Sequence, residues 1–271
     1  MSSSIAIIAG AGRFPLYAAQ EAKRQGLRVV IIGLKGWVDA PLARAGDAYE
    51  EIGVGQIGGL LSRLKTHGVT QAILAGKVTK RVLLDQAGFD LEAAALIAKA
   101  KDRSVPALLE AIGGRLRQDG ISLLDSSAFL TSQLCPAGVL TSRAPTRDEQ
   151  QDIDAGMAAA RAVAACDIGQ TIVVKSRVVV AVEALEGTDA AIRRAHELAG
   201  GGLVVVKTGS PKQDRRLDLP VVGLDTLKTS AACGVTCLAM EAGITLLLER
   251  EAVIAAANAA RLCVTGITLS A

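Results

Sequence analysis

Glu183, Glu186, Thr188 and Asp189 fall in one short run, Ala181-Val182-Glu183-Ala184-Leu185-Glu186-Gly187-Thr188-Asp189, which ends an apolar stretch and opens a helical one. A second polar cluster, Lys207-Thr208-Gly209-Ser210-Pro211-Lys212-Gln213-Asp214-Arg215-Arg216, follows another apolar stretch. The third, Val221-Val222-Gly223-Leu224-Asp225-Thr226, sets Asp225 just past a short strand and before a helix. Together they gather hard oxygen ligands suited to Mg2+ and cations suited to phosphate oxygens. Metal-assisted phosphate chemistry is the reading they favour. Asp225, Glu186, Thr188 and Asp189 are then the catalytic candidates, and Asp225 with Asp214 the metal candidates. Asp225 could hold the metal or orient an attacking water. The alternative is purely structural: Thr188 and Asp225 would cap helices, and Asp189 would sit against a helix dipole.

Phosphate binding has two further candidates. The loop Gly10-Ala11-Gly12-Arg13-Phe14-Pro15 follows an apolar run, and its glycines would let backbone N–H groups approach a phosphate at a helix start. It matches a dinucleotide fingerprint imperfectly: Pro15 replaces the third glycine, and Lys35 stands where an NAD ribose would want a carboxylate. A plain tight turn, a mononucleotide or sugar-nucleotide cradle, and an NAD(P) site therefore stay open. The second candidate is Ala75-Gly76-Lys77-Val78-Thr79-Lys80-Arg81, which carries cations past the end of a strand. Open α/β sheets bind ligands there, although a solvated basic loop has the same composition. Gly10, Ala11, Gly12, Gly76, Lys77, Lys207 and Gln213 are the binding candidates from these stretches.

Other chemistries fare worse. His67 and His196 are the only histidines, in polar helical segments that predict surface positions, so zinc hydrolysis and a Ser-His-Asp triad find no support. No Gly-x-x-x-x-Gly-Lys-Ser/Thr motif occurs. With 3 Phe, 2 Tyr and 1 Trp, a stacking platform for single-stranded nucleic acid lacks material, and no basic block supports duplex binding. The 5 Cys are scattered and odd in number, which predicts small buried thiols; Cys233 and Cys237, four apart, are expected on one helix.

The elements that must position these groups follow from periodicity. The chain has 271 residues, 50% of them hydrophobic and 21% charged, with a net charge of +3, enough for two ordinary cores. Strands are expected at 4–9, 27–33 and 70–74, alternating with helices from after residue 15 to about 25 and near 55–67, 91–100 and 105–118, with a short strand at 121–124. This alternation predicts a Rossmann-like, doubly wound α/β domain over 1–132. Pro and Gly cluster over 133–145, which predicts a linker. Thr146-Arg147-Asp148-Glu149 has the form of a capping box, heading a helix to about residue 165. Strands are then expected at 171–175, 178–182, 203–207, 221–222, 245–248 and 263–267, with helices near 189–198, from 225 and over 250–260. That makes 146–271 a second α/β domain, the catalytic one. Mean hydropathy is +0.37, yet charges interrupt each apolar stretch well short of the roughly 18 residues of a spanning helix. With no signal-peptide pattern at residue 1, a cytoplasmic protein is expected.

The chain closely resembles the LpxI family of UDP-2,3-diacylglucosamine pyrophosphatases, which act in lipid A synthesis in Gram-negative bacteria. The resemblance rests on Ile7 to Pro15, Ala75 to Val78, Pro136-Ala137-Gly138-Val139-Leu140-Thr141, Asp167-Ile168-Gly169-Gln170, Ala181 to Ala190, and Asp218-Leu219-Pro220-Val221-Val222-Gly223-Leu224-Asp225-Thr226. Near Arg81 the chain departs from it, because members often carry a proline there. The resemblance implies water cleaving the substrate's pyrophosphate with Mg2+, Mn2+ being able to substitute, to give UMP and 2,3-diacylglucosamine 1-phosphate (lipid X). It also implies Asp225 as the essential acid, Gln170 among the substrate-binding residues, two domains, and transient contact with the inner-membrane surface. A homo-oligomer is compatible with it. Two rivals of other classes remain: an NADP-dependent reductase with Lys35 on the 2′-phosphate, and a non-catalytic nucleotide-sugar binder.

Overall fold

Every residue from Ile5 to Ala9 is buried, so the first strand is covered on both faces, as parallel strands usually are. The computed structural model describes residues 3–78, 88–101, 104–211 and 214–269. Thr79, Lys80, Arg81, Lys212 and Gln213, named above as candidates or their neighbours, lie outside the described residues. The chain divides into two units: Met1–Thr131 with Asp214–Asp218, and Ser132–Gln213 with Leu219–Ala271.

Unit 1 runs β1 (Ser4–Ala9), α1 (Phe14–Arg24), β2 (Arg28–Leu34), β3 (Ala48–Ile52), α2 (Ile57–Thr66), β4 (Gln71–Ala75), α3 (Leu91–Lys99), α4 (Val105–Gln118) and β5 (Ser122–Leu123). Its sheet has the order β3-β2-β1-β4-β5, every pair parallel. Ala6, Ile8, Val30, Ile32 and Ala72 pack with Leu60, Leu61 and Leu64 of α2. Helix α1 begins two residues earlier than the loop reading allowed, because Pro15 sits in its first turn, where a missing N–H costs nothing. Strand β3 was not expected. Its sequence, Ala-Tyr-Glu-Glu-Ile, has no apolar run; it pairs with β2 at the sheet edge and keeps Glu51 exposed.

Unit 2 runs β6 (Gly138–Val139), α5 (Arg147–Ala165), β7 (Thr171–Lys175), β8 (Val178–Val182), α6 (Thr188–Ala199), β9 (Leu203–Lys207), β10 (Val221–Val222), α7 (Leu224–Ala232), β11 (Val235–Glu241), β12 (Leu246–Leu247), α8 (Arg250–Ala259) and β13 (Cys263–Ile267). The main sheet has the order β6-β13-β11-β9-β7-β8, with β9, β11 and β13 parallel and β6, β7 and β8 antiparallel to their neighbours. Strands β10 and β12 form a separate parallel pair. Ile153, Met157 and Ala160 of α5 cover one face of the sheet. Ile192 and Ala195 of α6, Leu227 of α7, and Val253 and Ala257 of α8 cover the other. The capping box forms as expected: the Glu149 amide donates to Thr146 Oγ1 at 3.2 Å, and the Thr146 amide to Glu149 Oε2 at 2.7 Å.

Several details depart from the sequence reading. The stretch 133–145 contributes β6, whose Gly138 and Val139 pair with β13, so it is woven into unit 2. Residues Asp214–Asp218 belong to unit 1: the Ser126 amide donates to the Arg215 carbonyl at 2.9 Å, and Leu217 packs against the unit 1 core. Cys233 and Cys237 do not share a helix. Gly234, at φ +65°, ends α7, and Cys237 lies in β11, buried between β9 and β13. His67, at the end of α2, is half-buried rather than on the surface, its ring nitrogen 2.6 Å from Glu50 Oε1. Among the described residues, no helix is long and apolar enough to cross a membrane.

Candidate active site

In unit 2 the strand directions collect polar residues on one sheet edge. Strand β8 is antiparallel to β7, and β7 to β9, so β8, β9 and β11 all point their carboxyl ends the same way. Lys207 ends β9, Glu241 ends β11, Glu183 follows β8, and Thr171 opens the antiparallel β7. Lys207 is only 4% exposed. A buried ammonium is tolerated only when its donors are used. Its Nζ donates to Thr188 Oγ1 at 2.9 Å and Thr171 Oγ1 at 3.1 Å, and lies 3.8 Å from Glu183 Oε2. Thr188 Oγ1 donates in turn to Glu183 Oε1 at 2.9 Å, and the Gln170 amide reaches Glu183 Oε2 at 3.4 Å. Burial pushes the Glu183 carboxyl up, but the Lys207 charge and the bonds from Thr171, Thr188 and the Gln170 amide outweigh it. The carboxyl ends below its ordinary value and stays ionised.

The neighbouring helices start at this edge. Helix α6 opens after Gly187, at φ +84°, and α7 after Gly223; neither has a side-chain cap. Thr188 and Asp225 are therefore not N-caps. Thr188 is the first residue of α6, while Asp225 sits exposed in the first turn of α7 with no side-chain partner among the described residues. Thr226 Oγ1 donates to Asp189 Oδ1 at 3.0 Å, joining α7 to α6. Glu241 accepts from the Gly209 amide at 2.9 Å and from Thr208 Oγ1. Glu186 stands apart from this group, exposed and tied to Arg194 at 2.6 Å.

Unit 1 holds the glycine loop. The Gly10 amide donates to the Ala75 carbonyl at 2.8 Å, and Ala11 and Lys77 exchange both backbone bonds at 2.9 Å. These two amides are thus used within the protein, which leaves Gly12 and the first turn of α1 as the part open to a ligand. The glycines differ in purpose. A Cβ on Gly10 would stand 2.7 Å from the Lys77 carbonyl oxygen, so close packing requires that glycine. Gly12 faces open space and is required only by its φ of +90°. Gly76, at φ +92°, meets the Gly10 backbone at 2.8 Å, and the Lys77 side chain is exposed.

The two metal candidates differ in the same way. Asp214 lies in unit 1, where Arg216 fills both of its oxygens: Nε donates to Oδ1 at 2.9 Å and Nη2 to Oδ2 at 2.5 Å. Such a bidentate pair leaves little lone-pair capacity for an ion, so Asp214 does not fit the expected role beside Asp225. Among the described residues, no three His, Cys, Asp or Glu side chains gather into a group that could hold a metal. Sequence reasoning also missed partners. Glu183 was visible in its run, but its link to Lys207 depends on sheet order. Thr171 and Glu241 gave no signal, and β11 itself was not expected.

Comparison with known proteins bears on both halves. The sequence model of the LpxI N-terminal domain matches residues 4–133, and that of the LpxI C-terminal domain residues 136–265. A UDP-2,3-diacylglucosamine pyrophosphatase LpxI of Caulobacter vibrioides is 31% identical over 275 residues, covering 97% of this chain and 97% of that one. Solved structures are more distant. UDP-glucose 4-epimerase from Brucella ovis in complex with NAD is 17% identical, with a TM-score of 0.28 over 41% of this chain and 32% of that one. Phosphoribosylglycinamide synthetase from Anaerococcus prevotii is 10% identical, with a TM-score of 0.27 over 75% of this chain and 44% of that one. At such scores neither likeness bears on the fold. A relative aligned over nearly all of both chains does decide descent: this chain belongs to the LpxI family.

Proposed function

We propose that the protein hydrolyses the pyrophosphate bond of UDP-2,3-diacylglucosamine with water, giving UMP and 2,3-diacylglucosamine 1-phosphate. The observation that carries this reading is the 31% identity to the Caulobacter enzyme over 97% of both chains. A diphosphate repels nucleophiles, so catalysis must offset negative charge that builds in the transition state. Unit 1 is proposed to hold the nucleotide in the manner of Rossmann-like sheets, whose β3-β2-β1-β4 order it shares; Gly12 and the start of α1 would receive a phosphate. Exposed Lys77 adds positive charge beside that loop. Gln170 stays among the proposed substrate contacts, and Lys207 acts from within through Thr188.

Asp225 is the proposed essential acid. Its carboxylate is exposed and unpaired among the described residues, as a group that binds a metal or orients water must be. Mg2+, with Mn2+ able to substitute, is the proposed cofactor; Asp225 would hold it, and it would neutralise charge on the diphosphate. The substrate's acyl chains imply brief contact with a membrane surface from the cytoplasm.

The test is incubation of the purified protein with UDP-2,3-diacylglucosamine and Mg2+, followed by separation of products. UMP and the lipid 1-phosphate should appear together. Substrate bound but never turned over would instead support a nucleotide-sugar binder. A 340 nm absorbance change with NADP would support the reductase, which the family match does not favour.

A further inference from the structure

Helices α6 and α7 both start without a capping side chain, yet both are tied at their first turns. The ties form one continuous series inside unit 2. Glu183 and the buried Lys207 grip Thr188 Oγ1 from two sides, at 2.9 Å each. The next residue, Asp189, accepts from Thr226 Oγ1 at 3.0 Å. Thr226 directly follows Asp225 in the same turn of α7.

From this we infer that Glu183, Lys207, Asp189 and Thr226 are positioning residues, which fix the first turn of α7 and with it the Asp225 carboxylate against the sheet edge. This rests on the reading of Asp225 as the essential acid and adds residues that act through it. Three observations support it. Glu183 is kept ionised despite its burial, so the grip on Thr188 is charged at both ends. Among the described residues the Lys207 ammonium faces Thr188, Thr171 and Glu183, so its donors are directed into the series. Asp189, the nearest other acid in the series, already has a hydroxyl donor on α7.

Thr226→Val keeps shape while deleting the hydroxyl, and Thr226→Ser restores it. Thr226→Val should lower kcat about 10- to 100-fold, the loss expected when a reacting group shifts by around 1 Å. KM should change by less than about twofold, because ground-state binding is untouched. Thr226→Ser should recover most of the rate. Amide hydrogen exchange over residues 224–227 should speed up in Thr226→Val, and over residues 188–191 in Glu183→Gln, with global stability of Thr226→Val near that of the parent protein. Unchanged kcat and unchanged exchange in Thr226→Val would overturn the inference, as would a lost rate that Ser does not rescue. If the parent protein fails to hydrolyse the substrate, the proposed function falls. The exchange data then decide alone whether the series holds α7.

Discussion

Asp225 and Asp214 lie eleven positions apart and meet opposite surroundings: one is exposed in the first turn of α7 with no side-chain partner among the described residues, the other is clamped by Arg216. A carboxylate whose lone pairs are already filled is poor at taking a proton or an ion, which is why Asp225 rather than Asp214 is the proposed acid. Asp225→Asn should keep the melting temperature within a degree or so of the parent, since Asp225 does not cap its helix and pairs with no side chain among the described residues. Its kcat should fall about a hundredfold or more, the loss typical of a positioned acid–base group. Near-parent turnover would remove Asp225 from the chemistry. Lys207 predicts the reverse pattern. Lys207→Met leaves Glu183 buried opposite an apolar chain, and breaking such a pair costs roughly 3–5 kcal/mol. Denaturant unfolding should show that loss, whereas a lysine serving only as a phosphate contact would leave stability unchanged.

Secondary elements depend on local closure, and two places test it. Where the β1–α1 loop pairs with the residues after β4, Gly10→Ala forces a Cβ to within 2.7 Å of a backbone oxygen that has nowhere to move. Overpacking of this kind costs about 1–3 kcal/mol. Gly12→Ala meets only the left-handed φ, for about 1–2 kcal/mol, with no clash. The two variants should therefore separate: Gly10→Ala should raise amide exchange at Ala11 and Lys77, and Gly12→Ala should leave that pairing intact. At the start of α5, Arg143 donates to both Glu149 oxygens at 2.8 Å, and with the Thr146 amide this holds the carboxyl down at about 2, from 4.5. Because the folded value is the lower one, the stabilisation is present above pH 4.5 and is lost as pH falls towards 2. Glu149→Gln should flatten the stability profile across that window, with a loss of about 1–3 kcal/mol at neutral pH. An identical acid limb in both proteins would contradict this.

Unit 1, taken as a whole, is completed by residues from late in the chain. Asp214–Asp218 supply Leu217 to its core, and Arg215 pairs with Asp125 at 3.0 Å. A fragment ending at residue 131 should therefore unfold at lower denaturant than the same unit within the intact chain. Equal midpoints would show those five residues to be dispensable. Activity of the intact protein should vanish in EDTA and return with Mg2+ or Mn2+, since the exposed acid at the edge offers hard oxygen alone. Full turnover in chelator would discard the metal.

The residue pattern alone determined most of the elements. Apolar runs marked β1, β2, β4, β7 and β9, and Thr146 with Glu149 marked the start of α5, because burial on two faces and a local cap both leave a short-range signature. It also determined which stretches are polar at strand ends, and so that Asp225, Thr188 and Asp189 belong to one neighbourhood. Only the tertiary structure decided which of these groups are free. Strand order brings Lys207 against Glu183 and Thr171, residues 24 and 36 positions away, so its ammonium is buried among protein partners. It likewise pairs the Gly10 and Ala11 amides with Ala75 and Lys77, and returns Asp214 to unit 1. A side chain's chemistry follows from its type, but its availability follows from what fills its lone pairs and donors, and those partners come from far along the chain.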